Sequence, residues 1–447
     1  MYSFTGILTT LYARSPERLL KKTTFETCKK FISTTIKPSV VKRKQIDASL
    51  GSSKSNMSPL TFSMKHFSTQ AIDQEITATN FPKLTTPKKD GYLFPAEWSL
   101  HKQCFIGWPD VASKWREGGI PAQRAIAEIA KAISQFEPVT VVASNPVGWR
   151  AARSRLPQSI RVIQVPNNDC WLRDSGPIFV KSTNPEVEEL ARGVIFNFTA
   201  WGGPTEPAYG DWSLDAQFAE NLLQVENVSQ YHAGMVLEGG SISVDGQGTL
   251  VTTEECLLNP NRNPSMSKEE IEHRLQEFLG IKKVIWLPYG VYGDDDTNGH
   301  VDNMCQFTQP GTVVLHWTDD PKDPQYERSH EAYERLSSTT DAMGRKIKVL
   351  KLHLPGPLYR SIEEQFLFDG CKLRPAGQRL PASYVNFYVT NGGVVAPKFN
   401  HENDELAKKT LEQAFPGRRI VQVYAREVLL GGGCLGCIHC MTQQQPQ

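Results

Sequence analysis

The clearest local pattern in the chain is a strand, a helix and a second strand in residues 249–287, which read TLVTTEECLLNPNRNPSMSKEEIEHRLQEFLGIKKVIWL. Thr249–Thr253 and Val284–Leu287 are short β-branched and apolar runs, which are typical of strands. Between them, Ser267-Lys268-Glu269-Glu270 has the pattern of a capping box at the start of a helix. Apolar residues then recur at the helical spacing, at Ile271, Leu275, Phe278 and Leu279. The stretch therefore predicts a strand–helix–strand unit.

The same alternation continues along the chain on both sides of this stretch. Four further helices are predicted, at 121–136, 215–225, 326–343 and 403–415. The further strand candidates are Val139–Ala143, Arg161–Val165, Pro177–Val180, Val194–Phe198, Met235–Val244, Val313–Trp317, Ile347–Leu352, Tyr384–Val389 and Ile420–Tyr424. Strands that alternate with long helices indicate the α/β class. The regular recurrence suggests repeats of a strand-strand-helix-strand unit.

The first 85 residues differ in composition from the rest and show neither helical nor strand periodicity. Residues 1–70 hold 12 Lys and Arg against 3 Asp and Glu, so 12 − 3 = +9, which leaves 37 − 45 = −8 for the remainder. A basic, Ser/Thr-rich leader favours a transit peptide for a chloroplast or mitochondrion. An ordinary disordered tail, or translation from Met57 or Met64 with a cytoplasmic location, is the alternative. We expect an N-terminal extension at 1–85 and one catalytic domain at 86–447.

Composition also excludes several classes of function. The net charge of +1 argues against a nucleic-acid partner for the whole chain. No stretch approaches the roughly 18 consecutive apolar residues of a transmembrane helix, so no membrane partner is expected. Nine mostly scattered cysteines, an odd number, do not form the pattern of a disulfide framework. They indicate a reducing, intracellular compartment.

Two polar segments lie beside predicted strands. Residues 168–177 form a loop between two strands and contain Trp171 and Asp174. Such loops often carry function, although a surface turn with an Arg–Asp pair is the alternative. Glu238 follows an apolar strand and precedes two glycines, so it is not a carboxylate of a solvated face. It either serves the site or accepts hydrogen bonds from neighbouring backbone N–H groups.

A third polar segment is Asp294-Asp295-Asp296-Thr297-Asn298-Gly299-His300-Val301-Asp302-Asn303. If His300 opens a strand, Asp302 lies on the same face, because side chains alternate with a period of two. A histidine and a carboxylate would then project into one site. The acidic run is alternatively a solvated loop or a cation site, although it lacks the ligand spacing of an EF-hand.

The C-terminal segment supplies thiols. A strand-like apolar run from Ile420 to Leu430 leads into Gly431-Gly432-Gly433 and then into three cysteines, the last being Cys440. A cysteine after such a turn can face a pocket, although a buried cysteine is often only a small hydrophobe. Carboxylates beside a nucleophilic thiol must serve another group, and a cationic guanidinium matches them in charge and geometry. The inventory therefore indicates nucleophilic attack on a guanidinium carbon.

Several long motifs, in one order from about residue 88 to the C-terminus, resemble the agmatine deiminase family of plants and bacteria. They are Pro95-Ala96-Glu97-Trp98, Trp171-Leu172-Arg173-Asp174-Ser175-Gly176-Pro177, Leu237-Glu238-Gly239-Gly240-Ser241, Thr253-Glu254-Glu255-Cys256-Leu257-Leu258-Asn259, Thr297-Asn298-Gly299-His300-Val301-Asp302-Asn303, Ala382-Ser383-Tyr384-Val385-Asn386-Phe387-Tyr388, Ile438-His439-Cys440 and Thr442-Gln443-Gln444-Gln445-Pro446. The resemblance implies a pentein fold, a five-bladed α/β propeller with the active site on its central axis.

The resemblance also implies the catalytic groups. Cys440 matches the nucleophile, His300 the general acid and base, and Glu238 the carboxylate that orients this histidine. The implied reaction converts agmatine to N-carbamoylputrescine and ammonia through an amidino-cysteine intermediate, in putrescine and polyamine biosynthesis. No cofactor and no metal are expected, and a homodimer is one possible assembly.

The remaining implied residues bind the substrate. Asp174 and Asp302 match the carboxylates that hold the guanidinium and assist catalysis. Asp296 matches the carboxylate that binds the distal amine, and Trp171 matches the aromatic side chain near the substrate. Asp296 also argues against free arginine, whose carboxylate it would repel, so a hydrolase of arginine or peptidyl-arginine is a weaker alternative.

Two departures from the family pattern leave alternatives open. The family has one Asn between the three glycines and Ile-His-Cys, but this chain has Cys434-Leu435-Gly436-Cys437 there, a net insertion of three residues. A displaced nucleophile would leave a guanidinium-binding protein with impaired catalysis. The spacing of Cys434, Cys437 and Cys440 also fits part of an iron–sulfur or zinc site, although a fourth ligand is missing. Ser243 replaces a histidine of the family.

Overall fold

The structure is a computed structural model that describes residues 85–366, 372–433 and 435–437, and the backbone of 439–440. The expected extension at 1–85 lies almost wholly outside these residues. The strands are β1 (Tyr92–Leu93), β2 (Cys104–Gly107), β3 (Val139–Ala143), β4 (Arg161–Gln164), β5 (Ile178–Ser182), β6 (Ala191–Asn197), β7 (Gln230–Val236), β8 (Ser243–Val244), β9 (Thr249–Thr253), β10 (Lys283–Leu287), β11 (Cys305–Gln309), β12 (Thr312–Trp317), β13 (Lys348–His353), β14 (Tyr388–Thr390), β15 (Gly393–Lys398), β16 (Arg419–Tyr424) and β17 (His439–Cys440).

Ten α-helices are assigned in the described residues, and six of them have ten or more residues. The helices are α1 (Ile120–Ile133), α2 (Pro146–Arg155), α3 (Leu172–Ser175), α4 (Asp215–Glu226), α5 (Glu254–Leu257), α6 (Lys268–Leu279), α7 (Val301–Met304), α8 (Gln325–Ser337), α9 (Asp404–Ala414) and α10 (Arg426–Gly431). Three-residue and four-residue 3-10 turns lie at Ala112–Lys114, Arg116–Gly119 and Gly239–Ser241.

Four consecutive units have the predicted order of strand, antiparallel strand, helix and parallel strand. They are β5-β6-α4-β7, β8-β9-α6-β10, β11-β12-α8-β13 and β14-β15-α9-β16. Each helix forms the crossover that two parallel strands require. The prediction of α/β repeats is confirmed.

The fifth unit is completed by the C-terminus. β2, α1 and β3 supply a parallel strand pair with its crossover helix, and β4 extends the sheet beyond β3. The antiparallel partner of β2 is β17, with His439 opposite Ile106 and Cys440 opposite Phe105. The early strand β2 and the last described strand, β17, therefore meet in one sheet, directly beside the cysteine-rich segment.

The long helices follow the sequence periodicity. In α1 the buried face contains Ile126, Ile129 and Ile133. At the start of α6 the Ser267 hydroxyl accepts a hydrogen bond from the Glu270 N–H, and the Glu270 side chain accepts one from the Ser267 N–H. The predicted capping box is thus confirmed, because both orphan donors of the first turn are satisfied.

Several local predictions were wrong. Met235–Val244 is not one strand, because the 3-10 turn at Gly239–Ser241 separates β7 from β8, and only the last two residues of Tyr384–Val389 lie in β14. The apolar run from Ile420 to Leu430 is not one strand, because β16 ends at Tyr424 and α10 begins at Arg426. His300 does not open a strand either. It precedes the short helix α7, and β11 begins only at Cys305. In the described residues, no helix combines the length and apolar character that crossing a bilayer would need.

Candidate active site

Three short connections bring the site together. α3 carries Asp174, and the 3-10 turn at Gly239–Ser241 follows Glu238. The first turn of α7 carries Asp302, two residues after His300. Each connection lies just after or just before a strand of a different sheet. Four of the predicted residues, from segments far apart in sequence, therefore reach one region.

Gly240 lies at the centre of this group. A Cβ atom on Gly240 would lie 2.6 Å from Nδ1 of His300, 2.8 Å from Oδ2 of Asp302 and 2.9 Å from Oδ1 of Asp174. These separations are shorter than carbon contacts allow, so the absence of a side chain is needed for the three groups to converge.

Asp174 is a buried carboxylate with both oxygens hydrogen-bonded. Its Oδ1 accepts from the Gly240 N–H at 2.9 Å, and its Oδ2 accepts from Nε1 of Trp201 at 2.9 Å. Burial raises the pKa of Asp174, and the nearby His300 partly opposes that rise. Fixed donors on both oxygens hold the carboxylate in one orientation.

His300 lies between two carboxylates. Its Nδ1 is 3.9 Å from Oδ1 of Asp174, and its Nε2 is 3.8 Å from Oε2 of Glu238. Burial alone lowers the pKa of His300, but Asp174, Cys256 and Glu238 outweigh burial and hold this pKa well above its ordinary value. The imidazole is therefore suited to hold a proton at neutral pH and to donate it.

Glu238 is held by an arginine that the sequence reasoning missed. Nε of Arg262 lies 2.7 Å from Oε1 of Glu238, and both side chains are fully buried. Burial alone would raise the pKa of Glu238, but Arg262 and His300 outweigh burial and keep this pKa below its ordinary value. Glu238 therefore stays ionised beside His300 and stabilises the imidazolium.

Asp302 is buried and keeps one oxygen without a partner. Its Oδ1 makes no hydrogen bond to any residue in the described part of the chain. Burial raises the pKa of Asp302 to about 7, with His300 and Arg173 acting in the opposite direction. A buried carboxylate oxygen without a donor is costly, and a cationic donor on a ligand would satisfy it.

A narrow cavity leads to this cluster. Asp174 lines it, and so do the predicted substrate residues Trp171 and Asp296. The other lining residues are Lys114, Asp169, Trp201, Ala208, Tyr209, Thr297, Arg374, Gly431, Gly432, Gly433 and Cys437. The indole of Trp171 stacks on Trp115 and donates to Asp169, so its ring is fixed as a wall of the cavity.

Asp296 already has a cationic partner in the cavity. Nη1 of Arg374 donates to Oδ2 of Asp296, and both side chains are largely buried. Gly432, with φ of +120°, allows this pair to approach the glycine turn, because a Cβ there would lie 2.9 Å from Nη2 of Arg374. A substrate amine at Asp296 would therefore share the carboxylate with Arg374 or displace it.

Among the described cysteines, Cys437 is the one that lines the cavity. Its Sγ lies 3.6 Å from Oδ2 of Asp302 and 3.5 Å from Nδ2 of Asn386. The sequence reasoning expected Cys440 as the nucleophile. The backbone of Cys440 pairs with Phe105 in β17, and its side chain lies outside the described residues.

A metal ion is not required by the geometry. Glu238, Cys256 and His300 each offer a ligand atom, and these atoms lie within 4.8 Å of one another. The guanidinium of Arg262, however, already occupies Glu238 and would repel a divalent cation. The expectation of a metal-free site remains a prediction.

The neighbours of the site differ from the local alternatives. Arg173 pairs with Glu97, Nη2 to Oε1 at 2.6 Å, and not with Asp174, and this loop is buried instead of forming a surface turn. Ser243 is buried and accepts a hydrogen bond from the Phe307 N–H. Trp201 was missed, and its only signal is the Trp-Gly-Gly sequence at a sharp turn, where its φ is +61°.

Comparisons with known proteins agree with this geometry. The model of the Porphyromonas-type peptidyl-arginine deiminase family matches residues 93–446. An agmatine deiminase of Medicago truncatula is 52% identical over 370 residues, covering 81% of this chain and 98% of that protein. One of Pseudomonas fluorescens is 49% identical over 367 residues, covering 81% and 97%. The solved agmatine deiminase of Enterococcus faecalis has a TM-score of 0.77 and 42% identity, covering 81% of this chain and 98% of its own.

Such identity over nearly the full length of each relative exceeds what a shared fold alone would give. The repeats of strand, strand, helix and strand described above are those of the predicted propeller. The chain therefore belongs to the Porphyromonas-type peptidyl-arginine deiminase family and has the pentein fold.

Proposed function

We propose that this protein hydrolyses agmatine to N-carbamoylputrescine and ammonia, a step of putrescine and polyamine biosynthesis. The observation that carries the proposal is the convergence of Asp174, His300 and Asp302 around Gly240, at the end of a cavity that also contains Asp296. Agmatine has a guanidinium at one end and an ammonium at the other. One anionic group for each end matches this double cation.

The guanidinium binds between two carboxylates. Asp174 and the unpartnered oxygen of Asp302 accept its N–H groups, and the planar cation fits such acceptors. The ring of Trp171 bounds the path of the alkyl chain, and Asp296 accepts the ammonium. These contacts hold the guanidinium carbon in a fixed position, and positioning of this kind contributes much of the rate acceleration of enzymes.

The chemical steps follow from a thiolate and His300. The thiolate forms a bond to the guanidinium carbon, the bond from that carbon to one terminal nitrogen breaks, and His300 gives the proton that lets ammonia leave. His300 then accepts a proton from water as the water oxygen attacks the amidino carbon. The bond to sulfur breaks, the thiolate is restored and N-carbamoylputrescine leaves. Acid and base assistance is worth about 10²–10⁴-fold.

The nucleophile is a thiol of the C-terminal segment. The resemblance of Ile438-His439-Cys440 to the family motif favours Cys440, whereas Cys437 lines the cavity. Glu238 has a supporting role, because it keeps the His300 imidazole oriented and positively charged. The relatives named agmatine deiminase support the substrate, and the charge at Asp296 favours agmatine over free arginine.

The test is the release of ammonia and the formation of N-carbamoylputrescine by the full chain, with arginine as a matched substrate. We expect turnover of agmatine at least about 100-fold more efficient than that of arginine, because the arginine carboxylate would lie near Asp296. Equal rates, or a preference for arginine, would contradict the proposal.

Location and assembly are further proposals with separate tests. The basic leader supports import into a chloroplast or mitochondrion, and a fluorescent protein fused after residue 85 checks it by its location in living cells. A homodimer in solution is checked by sedimentation of the full chain. A diffuse cytoplasmic signal, or a monomer, would contradict the respective proposal.

A further inference from the structure

We propose that Cys437, and not Cys440, is the nucleophile of this chain. The inference rests on the proposed hydrolysis of a guanidinium. It concerns one of the two departures from the family pattern, the Cys434-Leu435-Gly436-Cys437 segment beside the three glycines. It also decides whether the extra residues displace the reacting sulfur.

The position of the Cys437 thiol is that of a reacting group. The residue is 3% exposed and lines the cavity together with Asp174 and Asp296. Its sulfur is 3.6 Å from Oδ2 of Asp302, the carboxylate whose other oxygen is buried and has no hydrogen-bond donor among the described residues. A guanidinium bound to Asp302 therefore places its carbon next to this sulfur.

Hydrogen bonds fix the backbone on both sides of the peptide bond between Gly436 and Cys437. The Gly436 N–H donates to Oδ1 of Asn386 at 2.6 Å, and the carbonyl of Cys437 accepts from the N–H of Arg173 at 3.3 Å. A Cβ on Gly433 would lie 3.2 Å from the Cys437 sulfur and 2.6 Å from the Trp171 ring. The glycine turn is thus needed for the chain to carry the thiol past Trp171.

The strand register places the backbone of Cys440 farther along the sheet. Because β17 runs antiparallel to β2, Cys440 pairs with Phe105, whereas the carboxyl end of β2 is at Gly107. Gly107 packs against Cys170, next to Trp171 of the site: a Cβ on this glycine would lie 2.2 Å from the Cys170 carbonyl oxygen. Two strand residues span about 7 Å, so Cys440 is paired well away from the end of β2 that meets the site.

The spacing from the glycines agrees with this register. Three residues, Cys434, Leu435 and Gly436, separate Gly433 from Cys437. The family pattern quoted above, three glycines followed by Asn-Ile-His-Cys, also has three residues before its cysteine. Counted in this way, the extra residues follow the nucleophile as Ile438-His439-Cys440, and β17 accommodates them where Cys440 pairs with β2.

The reaction with Cys437 requires no additional group. The Cys437 thiol loses its proton to solvent as the cation binds, because a guanidinium beside the sulfur stabilises the thiolate. The sulfur bonds to the guanidinium carbon, ammonia leaves with the proton from His300, and an amidino group remains on Cys437. Water then releases N-carbamoylputrescine as described above.

The experiment compares Cys437→Ala with Cys440→Ala in the full chain. We expect Cys437→Ala to lower kcat for agmatine by about 10⁴-fold or more, as removal of a nucleophile does, and Cys440→Ala to lower it far less. In acid-quenched turnover, mass spectrometry of peptides should locate the amidino adduct on Cys437. The reverse order of the two variants, or an adduct on Cys440, would overturn the inference.

A second probe separates this inference from the proposed function. 2-Chloroacetamidine is a small cationic electrophile that alkylates a thiol held beside carboxylates, whether or not agmatine turns over. Alkylation of Cys437 in the unchanged chain, lost in Asp302→Asn, supports the inference even if agmatine is not the substrate. Alkylation of Cys440 with Cys437 unmodified would overturn it, and failure to release ammonia from agmatine would overturn the proposed function alone.

Discussion

Nδ1 of His300 lies 3.9 Å from Oδ1 of Asp174, and this carboxylate is the largest of the influences that raise the pKa of the imidazole. The relationship connects substrate binding with proton transfer. A carboxylate that holds the guanidinium also keeps the general acid protonated before the reaction begins.

Asp174→Asn should lower the pKa of His300. Burial lowers this pKa, and the variant removes one of the carboxylates that oppose that effect. The titration of His300 by NMR of histidine-labelled protein measures this shift. Trp201→Phe is the matched control, since it removes a donor to Asp174 at 2.9 Å but leaves the negative charge. The pKa of His300 should be clearly lower in Asp174→Asn than in Trp201→Phe. An unchanged His300 pKa in Asp174→Asn would show that the ion pair does not control the acid.

Activity should depend on the ionisation of Asp302, whose pKa is raised to about 7 by burial. The guanidinium binds the carboxylate form, so kcat/KM should fall about tenfold per pH unit below that value and level off above it. The pH profile of the full chain measures this slope. A profile that is flat between about pH 5 and 8 would be inconsistent with Asp302 as a charged contact.

Gly240→Ala should abolish most activity without unfolding the protein. The new methyl group would lie within 3 Å of atoms of His300, Asp302 and Asp174. Displacing reacting groups by about 1 Å costs about 10²-fold in rate. Gly344→Ala is the control, because Gly344 has a φ of +82° but nothing within 4 Å. The control should lower Tm and keep kcat, and Gly240→Ala should show the larger effect on kcat. Full activity of Gly240→Ala would refute the close packing.

Arg262→Met should destabilise the fold, because it leaves the Glu238 carboxylate buried without its ion partner. Breaking a buried pair in this way costs about 3–5 kcal/mol of unfolding free energy. Urea unfolding measures the loss. The double variant Arg262→Met with Glu238→Gln removes the unpaired charge and should recover part of the stability. A single variant as stable as the unchanged chain would mean that Arg262 does not support Glu238.

Asp296→Asn tests the amine end of the cavity. Loss of a charged contact should raise KM for agmatine by about 10–100-fold and leave KM for butylguanidine, which lacks the amine, nearly unchanged. Steady-state kinetics with both compounds gives the comparison. An equal rise in KM for both compounds would mean that Asp296 supports the structure through its ion pair with Arg374 and does not recognise the substrate amine.

The fold was largely predictable because its helices have strong periodicity. The five long helices each have a buried stripe, so their positions followed from apolar spacing alone. α2 was missed because only Gly148 and Ala152 of its ten residues are buried, which leaves no stripe to detect. The short helix α7 was missed because four residues are too few for a period, and tertiary packing decides such turns.

The site was only partly predictable, for a physical reason in each case. The convergence of Asp174, His300 and Asp302 depends on Gly240, which contributes no side chain and so gives no chemical signal. Arg262 lies in a loop, where a charged residue is normally exposed, and only its buried partner Glu238 explains its place.

The choice between Cys437 and Cys440 depends on the register of β17 against β2. Local sequence cannot specify such a register, because β2 and β17 are separated by more than three hundred residues. The motif Ile-His-Cys indicates Cys440, whereas Cys437 is the described cysteine that lines the cavity.

The central claim is that the chain hydrolyses agmatine by attack on its guanidinium carbon. The most direct measurement follows ammonia and N-carbamoylputrescine together, by enzymatic assay and mass spectrometry, after agmatine is added to the purified full chain. The account predicts that both products appear in equal amounts and that His300→Gln slows their formation by about 10²-fold or more. Absence of both products with the folded, unchanged chain, or release of urea in place of ammonia, would contradict it.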